Sequence, residues 1–461
     1  MQNFWDFSAW GSINLVAILL ISLLLANIIK RSIKFLRVSL IPTSVLGGVL
    51  LLAFAGIYDL ITGDILFETE FFGGNGYATL EMVTYHTLAL GFIASSFKTA
   101  NGKLSKKRTV EIFNTGVTTV STYLLQAVVG FGITMLATLL IKDFFAAAGV
   151  LLPFGFGQGT GQAMNYGNIY ETEYGFVGGK SFGLTIAALG FLSASIGGVV
   201  HLNILKKRNK VKIYGEDEAA LNESQVQGSN EIPMQGSMDK MTVQVALVMG
   251  AYLLTFLFMF LLGKLLPGMK AVIYGFNFLL GVLSATLVKI VINTFKRADA
   301  IKKEYINDFL MTRVSNFFFD IMVVAGIAAI RLGILQQYWG IMLVLGVVGL
   351  FITYFYNLWI AKVLFPEYPQ EQFLMMYGML TGTASTGIIL LREIDGDFKT
   401  PAADNMVYQN FPAIVFGFPM MLLATLAPQK PMLTLIILTV FFIVMNIILF
   451  RSKIFKRRKL K

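Results

Sequence analysis

Long apolar runs set the first limit on this chain. About eleven stretches of nearly uncharged residues follow one another from Trp10–Ile29 to Met432–Phe450, and a helix needs about 18 or more such residues to cross a bilayer core. Inside lipid, a spanning segment must satisfy its own backbone N–H and C=O groups, which favours helices. The expected fold class is therefore an all-α polytopic membrane protein. Charged residues make up only 14% of the chain, against about 25% in a soluble domain. A length of 461 residues would otherwise suggest several soluble domains, but one lipid-embedded bundle uses it all.

Several function classes are disfavoured. There is no cysteine, so there is neither a disulfide framework nor a thiolate metal site. His86 and His201 are the only histidines, which leaves little for histidine-ligated metal catalysis. The sequence has no paired catalytic acid motif and no nucleophile elbow, so it does not read as an enzyme. The net charge of +11 could suggest nucleic acid. The basic residues instead sit in short clusters beside apolar runs, as topology determinants do, so no nucleic-acid partner is expected. Met1–Trp10 holds Asp6 and no basic residue and does not read as a cleaved signal peptide.

The basic clusters are Lys30/Arg31/Lys34/Arg37, Lys98/Lys103/Lys106/Lys107/Arg108, Lys206/Lys207/Arg208/Lys210/Lys212, Lys289/Lys296/Arg297/Lys302/Lys303 and the tail from Arg451 to Lys461. The positive-inside rule places all of them in the cytoplasm. Spans at 11–29, 40–60, 81–97 and 110–141 then alternate correctly from an outside N-terminus. The third cluster requires span 182–205 to end inside, so it must start outside. Segment 144–170 must therefore enter and leave on the outer side. It is too short for two spans, and it reads as a re-entrant hairpin. Spans 241–265, 270–290, 314–335 and 338–365 alternate from inside, and segment 371–391 dips from the cytoplasmic side. Span 405–427 goes out, and 432–450 returns the basic tail to the cytoplasm.

This pattern divides the chain into an N-terminal repeat at 1–205, a polar cytoplasmic linker at 206–240 and a C-terminal repeat at 241–427, with an extra helix and basic tail at 428–461. Each repeat has five spans and one hairpin, in opposite orientations. The expected location is the cell (inner) membrane. Weak sequence matches follow the same order. Gly155-x-x-x-Gly159-Thr160-Gly161 answers Gly378-x-x-x-Gly382-Thr383-Ala384. Segment 44–50 resembles 278–283, and 89–94 answers 323–328 at the same spacing. Inverted repeats mark secondary transporters, with substrate at the midplane between the halves.

Each hairpin breaks at a Gly/Thr-rich tip, 157–162 and 381–387. Irregular backbone at membrane depth persists only where protein or an aqueous site satisfies it. A descending half-helix ends in free carbonyls that suit a sodium ion. An ascending half-helix begins with free N–H groups and a positive dipole end that suit a carboxylate. The candidate substrate residues are Gln158, Gly159, Thr160, Gly161, Gln162, Asn165, Gly382, Thr383, Ser385 and Thr386. The candidate sodium ligands are Gly157, Thr381, Asn316 and Asp320. The alternative for Gly-xxx-Gly is close helix packing.

The stretch Phe156-Gly157-Gln158-Gly159-Thr160-Gly161-Gln162-Ala163 resembles the Gly-Gly-His-Gly-Thr-Gly-Ala-Ala type motif in the first hairpin of the sodium/glutamate symporters. Gly382, Thr386 and Gly387 fall at similar positions in their second hairpin. The order of spans is similar up to about Ala427. The resemblance implies an inverted five-plus-five fold with a scaffold and a moving transport domain. It also implies Na+ as coupling ion, glutamate or a similar small carboxylate as substrate, and a homodimer in the lipid bilayer. Gln158 replaces the family histidine, the second tip matches loosely, and the helix at 432–450 is an addition. A passive channel or exporter of the same fold is the competing reading.

Asp320, beside Asn316, is an acid within a span and hence a functional-site candidate, or else a helix–helix hydrogen-bonding group. His86 is its counterpart at the shared spacing. His201 reads as interfacial. Arg392, after the second tip, either pairs with an anionic substrate or caps the hairpin at the surface. Trp5, Trp10, Trp339 and Trp359 read as belt residues.

Overall fold

The computed structural model describes residues 3–98, 105–208, 231–234, 238–396 and 399–456. Helices in the first half are α1 (Phe7–Ser32), α2 (Lys34–Val38), α3 (Thr43–Thr62), α4 (Gly76–Phe97), α5 (Lys106–Ala137), α6 (Leu151–Tyr174) and α7 (Gly179–Lys207). The second half has α8 (Lys240–Leu265), α9 (Lys270–Gly275), α10 (Asn277–Arg297), α11 (Asp308–Ala328), α12 (Leu332–Leu364), α13 (Pro369–Thr381) and α14 (Ala384–Arg392). It ends with α15 (Ala402–Tyr408), α16 (Asn410–Leu426), α17 (Pro431–Leu449) and α18 (Arg451–Lys456). Among the described residues, nine helices are long and apolar enough to cross a membrane, or ten if the bent pair α15–α16 counts as one. The chain is thus a multi-spanning all-α membrane protein.

The structure moves several expected boundaries. The span expected at 270–290 breaks at Phe276 into α9 and α10, and the longer piece runs on to Arg297. The span expected at 314–335 lies earlier, at Asp308–Ala328, because the Asn307 side chain caps its start by accepting from the Leu310 N–H. The span expected at 405–427 is bent by 54° between its two pieces. The α4 helix begins at Gly76, ahead of the expected 81, because Gly76 packs under the Phe67 carbonyl, where a Cβ would sit 2.2 Å from that oxygen. Residues 209–230 of the expected linker, including Glu216, Asp217 and Glu218, lie outside the described residues. At the linker's end, Glu231 accepts from Lys240 Nζ at 2.6 Å and from Asn307 Nδ2 at 2.8 Å.

The helices gather into two bundles that each draw on both halves of the sequence. In the first, α4 packs on α10 and α11, α11 on α3, α3 on α1, and α10 on α8. In the second, α6 packs on α7, α7 on α12, α12 on α5 and α13, and α5 on α16 and α17. Lipid gives helices no hydrophobic reason to associate, so close approach through small residues must hold them. Gly48 of α3 meets Ile327 and Val324 of α11, and Gly281 of α10 meets Ile93 and Ala89 of α4. These four contact segments are the ones that matched in sequence. The first segment of each matched pair packs on the second segment of the other pair. In the second bundle, Gly183 lies against the Ala163 carbonyl and Gly167 against Gly179.

One ion-pair cluster joins the bundles at the helix ends expected outside. Glu81 of α4 receives Lys180 Nζ of α7 at 2.6 Å and Arg331 Nη2 at 3.3 Å. Glu171 of α6 stands 4.0 Å from the same lysine. Separating the bundles there breaks these contacts. The Cys-free chain allows a direct test, with a single cysteine placed at Gln158 as reporter. Glu81→Gln should raise its labelling by an impermeant maleimide about fivefold, given roughly 1 kcal/mol for a partly exposed pair. An unchanged labelling rate would show that the cluster does not hold the bundles together.

Candidate functional site

The α6 helix is broken at Gly159, whose φ is 79° and ψ −171°. That conformation is open in practice only to glycine. The chain folds back there. The rings of Phe154 and Tyr166 stack with centroids 3.8 Å apart, whereas a continuous helix would separate them by about 18 Å. The second break lies between α13 and α14. A Cβ on Gly378 would sit 2.8 Å from Gly387 Cα, whereas a continuous helix would hold those residues about 13 Å apart.

The Gly-xxx-Gly motifs thus divide their labour. The first glycine of each motif packs: Gly155 against the Ala187 N–H and Gly378 against Gly387. The second glycine, Gly159 or Gly382, marks the break. The two breaks also meet. A Cβ on Gly159 would be 3.5 Å from Thr383 Cγ2 and 3.8 Å from the Gly382 carbonyl oxygen.

Around this meeting point the predicted residues fall into two groups, with Asn165 one turn beyond the first. Gln158, Gly159, Thr160, Gly161 and Gln162 form the first turn, and Gly382, Thr383, Ser385 and Thr386 the second. Thr160 is fully buried and donates to the Met322 carbonyl of α11 at 3.3 Å, which sets the first tip against the other bundle. Asn165 donates to Gln162 Oε1 at 3.2 Å and to the Gly275 carbonyl at 3.3 Å. Thr383 caps α14 by accepting from the Thr386 N–H. Thr386 is buried and Ser385 exposed. Among the described residues, two donors at the first tip have no partner: the buried amide nitrogens of Gln158 and Gln162. A buried unpaired donor costs about 1–3 kcal/mol and marks a place where an acceptor belongs. Two helix N-termini, the ascending part of α6 and α14, begin at the same tips.

The structure does not bring Asp320 and Asn316 to the tips. Met322 lies against Gly159 and Gly161, and a residue two positions away points about 200° around the helix. Asp320 instead faces α3 beside Ser44, on the side where Val324 and Ile327 meet Gly48. Its counterpart His86 pairs with the Tyr252 hydroxyl of α8 at 2.5 Å. Of the other sodium candidates, Thr381 spends its hydroxyl on the Tyr377 carbonyl at 2.6 Å, and the Gly157 carbonyl accepts from Tyr123 at 3.0 Å. His201 is covered by protein. It is 5% exposed and bonded to Tyr354 and Gln370, because α12 and α13 cover that end of α7.

Sequence reading missed two residues that shape the site. Tyr123 and Gln126 lie on one face of α5. Tyr123 donates to the Gly157 carbonyl, and Gln126 donates to the Leu380 carbonyl at 3.0 Å. One helix therefore holds the C-terminal ends of both descending arms. Gln126 carried a readable signal, an amide in an apolar span, and the structure buries it fully. Tyr123 did not stand out among the aromatics of the chain. No protein-family model matches this chain, and no curated protein does.

Proposed function

We propose that this chain is a secondary active transporter that couples Na+ entry to uptake of glutamate or a similar small carboxylate. The observation that carries the reading is the meeting of two broken-helix tips around unpaired, buried amide donors. Neutral donors and helix N-termini bind a carboxylate without a fixed counter-charge. The carbonyls that end the descending arms suit a sodium ion. Among the described residues no cluster of three or more His, Asp or Glu could hold a metal, so such an ion would be coordinated by carbonyl and hydroxyl oxygens.

The reciprocal contacts Gly48–Ile327 and Gly281–Ile93 support two inverted repeats, with 144–170 and 371–391 as re-entrant hairpins. The two bundles suit alternating access. The one built on α4 and α11 would be a scaffold and the dimer interface in the inner membrane. The one carrying both tips would move. The Tyr123 and Gln126 bonds would keep its halves together.

The test is uptake of labelled glutamate into proteoliposomes with and without an inward sodium gradient. Accumulation above the outside concentration, only with the gradient, is expected. Flux that equilibrates but never concentrates would support a passive channel or exporter. No flux of any small carboxylate would sink the proposal. Within a positive result, Gln162→Leu should keep the fold, since it removes an unpaired Nε2 and keeps a side chain of similar volume, and Asn165, which loses Gln162 Oε1, keeps its bond to the Gly275 carbonyl. It should raise the KM about tenfold or more, the value of a hydrogen bond to a charged group. An unchanged KM would remove Gln162 from the substrate site.

A further inference from the structure

A second region stands apart from the tips, where α5, α12, α13 and α17–α18 end together. These are helix ends that the charge pattern places in the cytoplasm. A cavity of about 510 Å³ opens there. Its floor is apolar, formed by Val110, Val363, Leu364, Phe365 and Pro366. Its rim carries Lys106, Lys107 and Lys453.

The carboxylates nearby are already engaged. Glu111 accepts from Arg108 at 2.6 Å and from Tyr368 at 2.9 Å. Glu367 accepts from Lys107 at 2.5 Å in an exposed pair, which contributes little. Among the described residues, Lys106 and Lys453 form no salt bridge. The α5 helix starts at Lys106, so the positive end of its dipole adds to the rim. On the wall, Asn114 accepts from Arg451 at 3.0 Å. Directly after α18 the sequence runs on through Arg457, Arg458, Lys459 and Lys461.

A cationic rim over an apolar floor, at the end of a membrane helix, matches a phospholipid. Its phosphate fits the rim, and its glycerol and first acyl carbons fit the floor. A soluble phosphate would use the rim alone. We propose that this cavity binds an anionic phospholipid headgroup from the cytoplasmic leaflet, held between Lys106, Lys107 and Lys453. The bound lipid bridges α5 to the last helices of the chain.

A thermal-shift titration of the full-length protein in detergent tests this. The probes are phosphatidylglycerol, phosphatidylcholine with the same acyl chains, and inorganic phosphate. Phosphatidylglycerol should stabilise the protein at a concentration at least about tenfold below that of phosphatidylcholine, as expected for two or three lysines near a headgroup. The Lys106→Gln/Lys107→Gln/Lys453→Gln variant should lose that preference. Lys34→Gln/Arg37→Gln, at another cytoplasmic helix end, should keep it. Should the triple variant fail to fold, Lys453→Gln alone carries the comparison, since that side chain is exposed on α18. Equal affinity for the two lipids, or equal losses in the variant and its control, would overturn the proposal. Stabilisation by inorganic phosphate at the lipid's own concentration would overturn it in favour of a soluble anion.

Discussion

On the proposed function, Gly159→Val should abolish sodium-dependent uptake while the protein still inserts and elutes as the parent does. The expectation rests on the backbone and not on crowding. At Gly159, φ is 79° and ψ −171°, a region that costs a residue with a Cβ of order 1–3 kcal/mol. The nearest atoms to a new Cβ would be at ordinary distances, 3.5 Å and beyond. The strain would therefore be relieved by turning the peptide at the tip, and the rest of the bundle has no cause to move. A turned peptide redirects the N–H groups that open the ascending arm and separates Gln158 from Gln162. Transport assay and size-exclusion elution, measured on one preparation, check both parts. Uptake at the parent's rate would show that the tip is not the site.

Gly387→Val should fail in the opposite manner, by losing the fold. A Cβ there would lie 2.5 Å from the Met375 carbonyl oxygen and 3.2 Å from the Met379 nitrogen. Both are backbone atoms inside a helix, so neither can rotate away. Overpacking of this kind costs about 1–3 kcal/mol or more, and the melting temperature should fall by about 1–3 °C or more with a lower yield. Gly387→Ala should show a smaller loss in the same direction. A normal melting curve for the valine variant would mean that α13 and α14 do not lie side by side. The pair of variants separates a glycine needed for its conformation from one needed for its size.

Much of this was legible in the sequence, because bilayer crossing is a property of single segments. Apolar length located most of the helices, and lysine and arginine placement set the expectation for their orientation. The two Gly/Thr tips stood out because they interrupt runs that should not be interrupted. That the tips touch, through Gly159 and Thr383, was an expectation the sequence could raise and only packing could supply. Asp320 shows where such reading ends. An acid in a span is easy to see, but its direction depends on helical register against α3. The break at Phe276 was equally hidden, since α9 and α10 share one apolar run. Glu81, Lys180 and Arg331 are far apart in sequence and look like ordinary boundary charges until the bundles bring them together.

The bonds from α5 to both descending arms have a mechanical consequence. Tyr123 and Gln126 are one turn apart, so a motion of α5 that carried one tip and left the other behind would have to break one of these bonds. On the proposed transport function, an ion and an anion between the tips would keep a near-constant separation through the cycle. What would alternate is the wall they face, namely α4 and α11, whose Leu88 and Met322 lie against Gly161. A cargo hold of constant dimensions sliding past a stationary frame would tie coupling to occupancy, because an ion lost from one arm would leave its vacancy in the same piece that must carry the anion across.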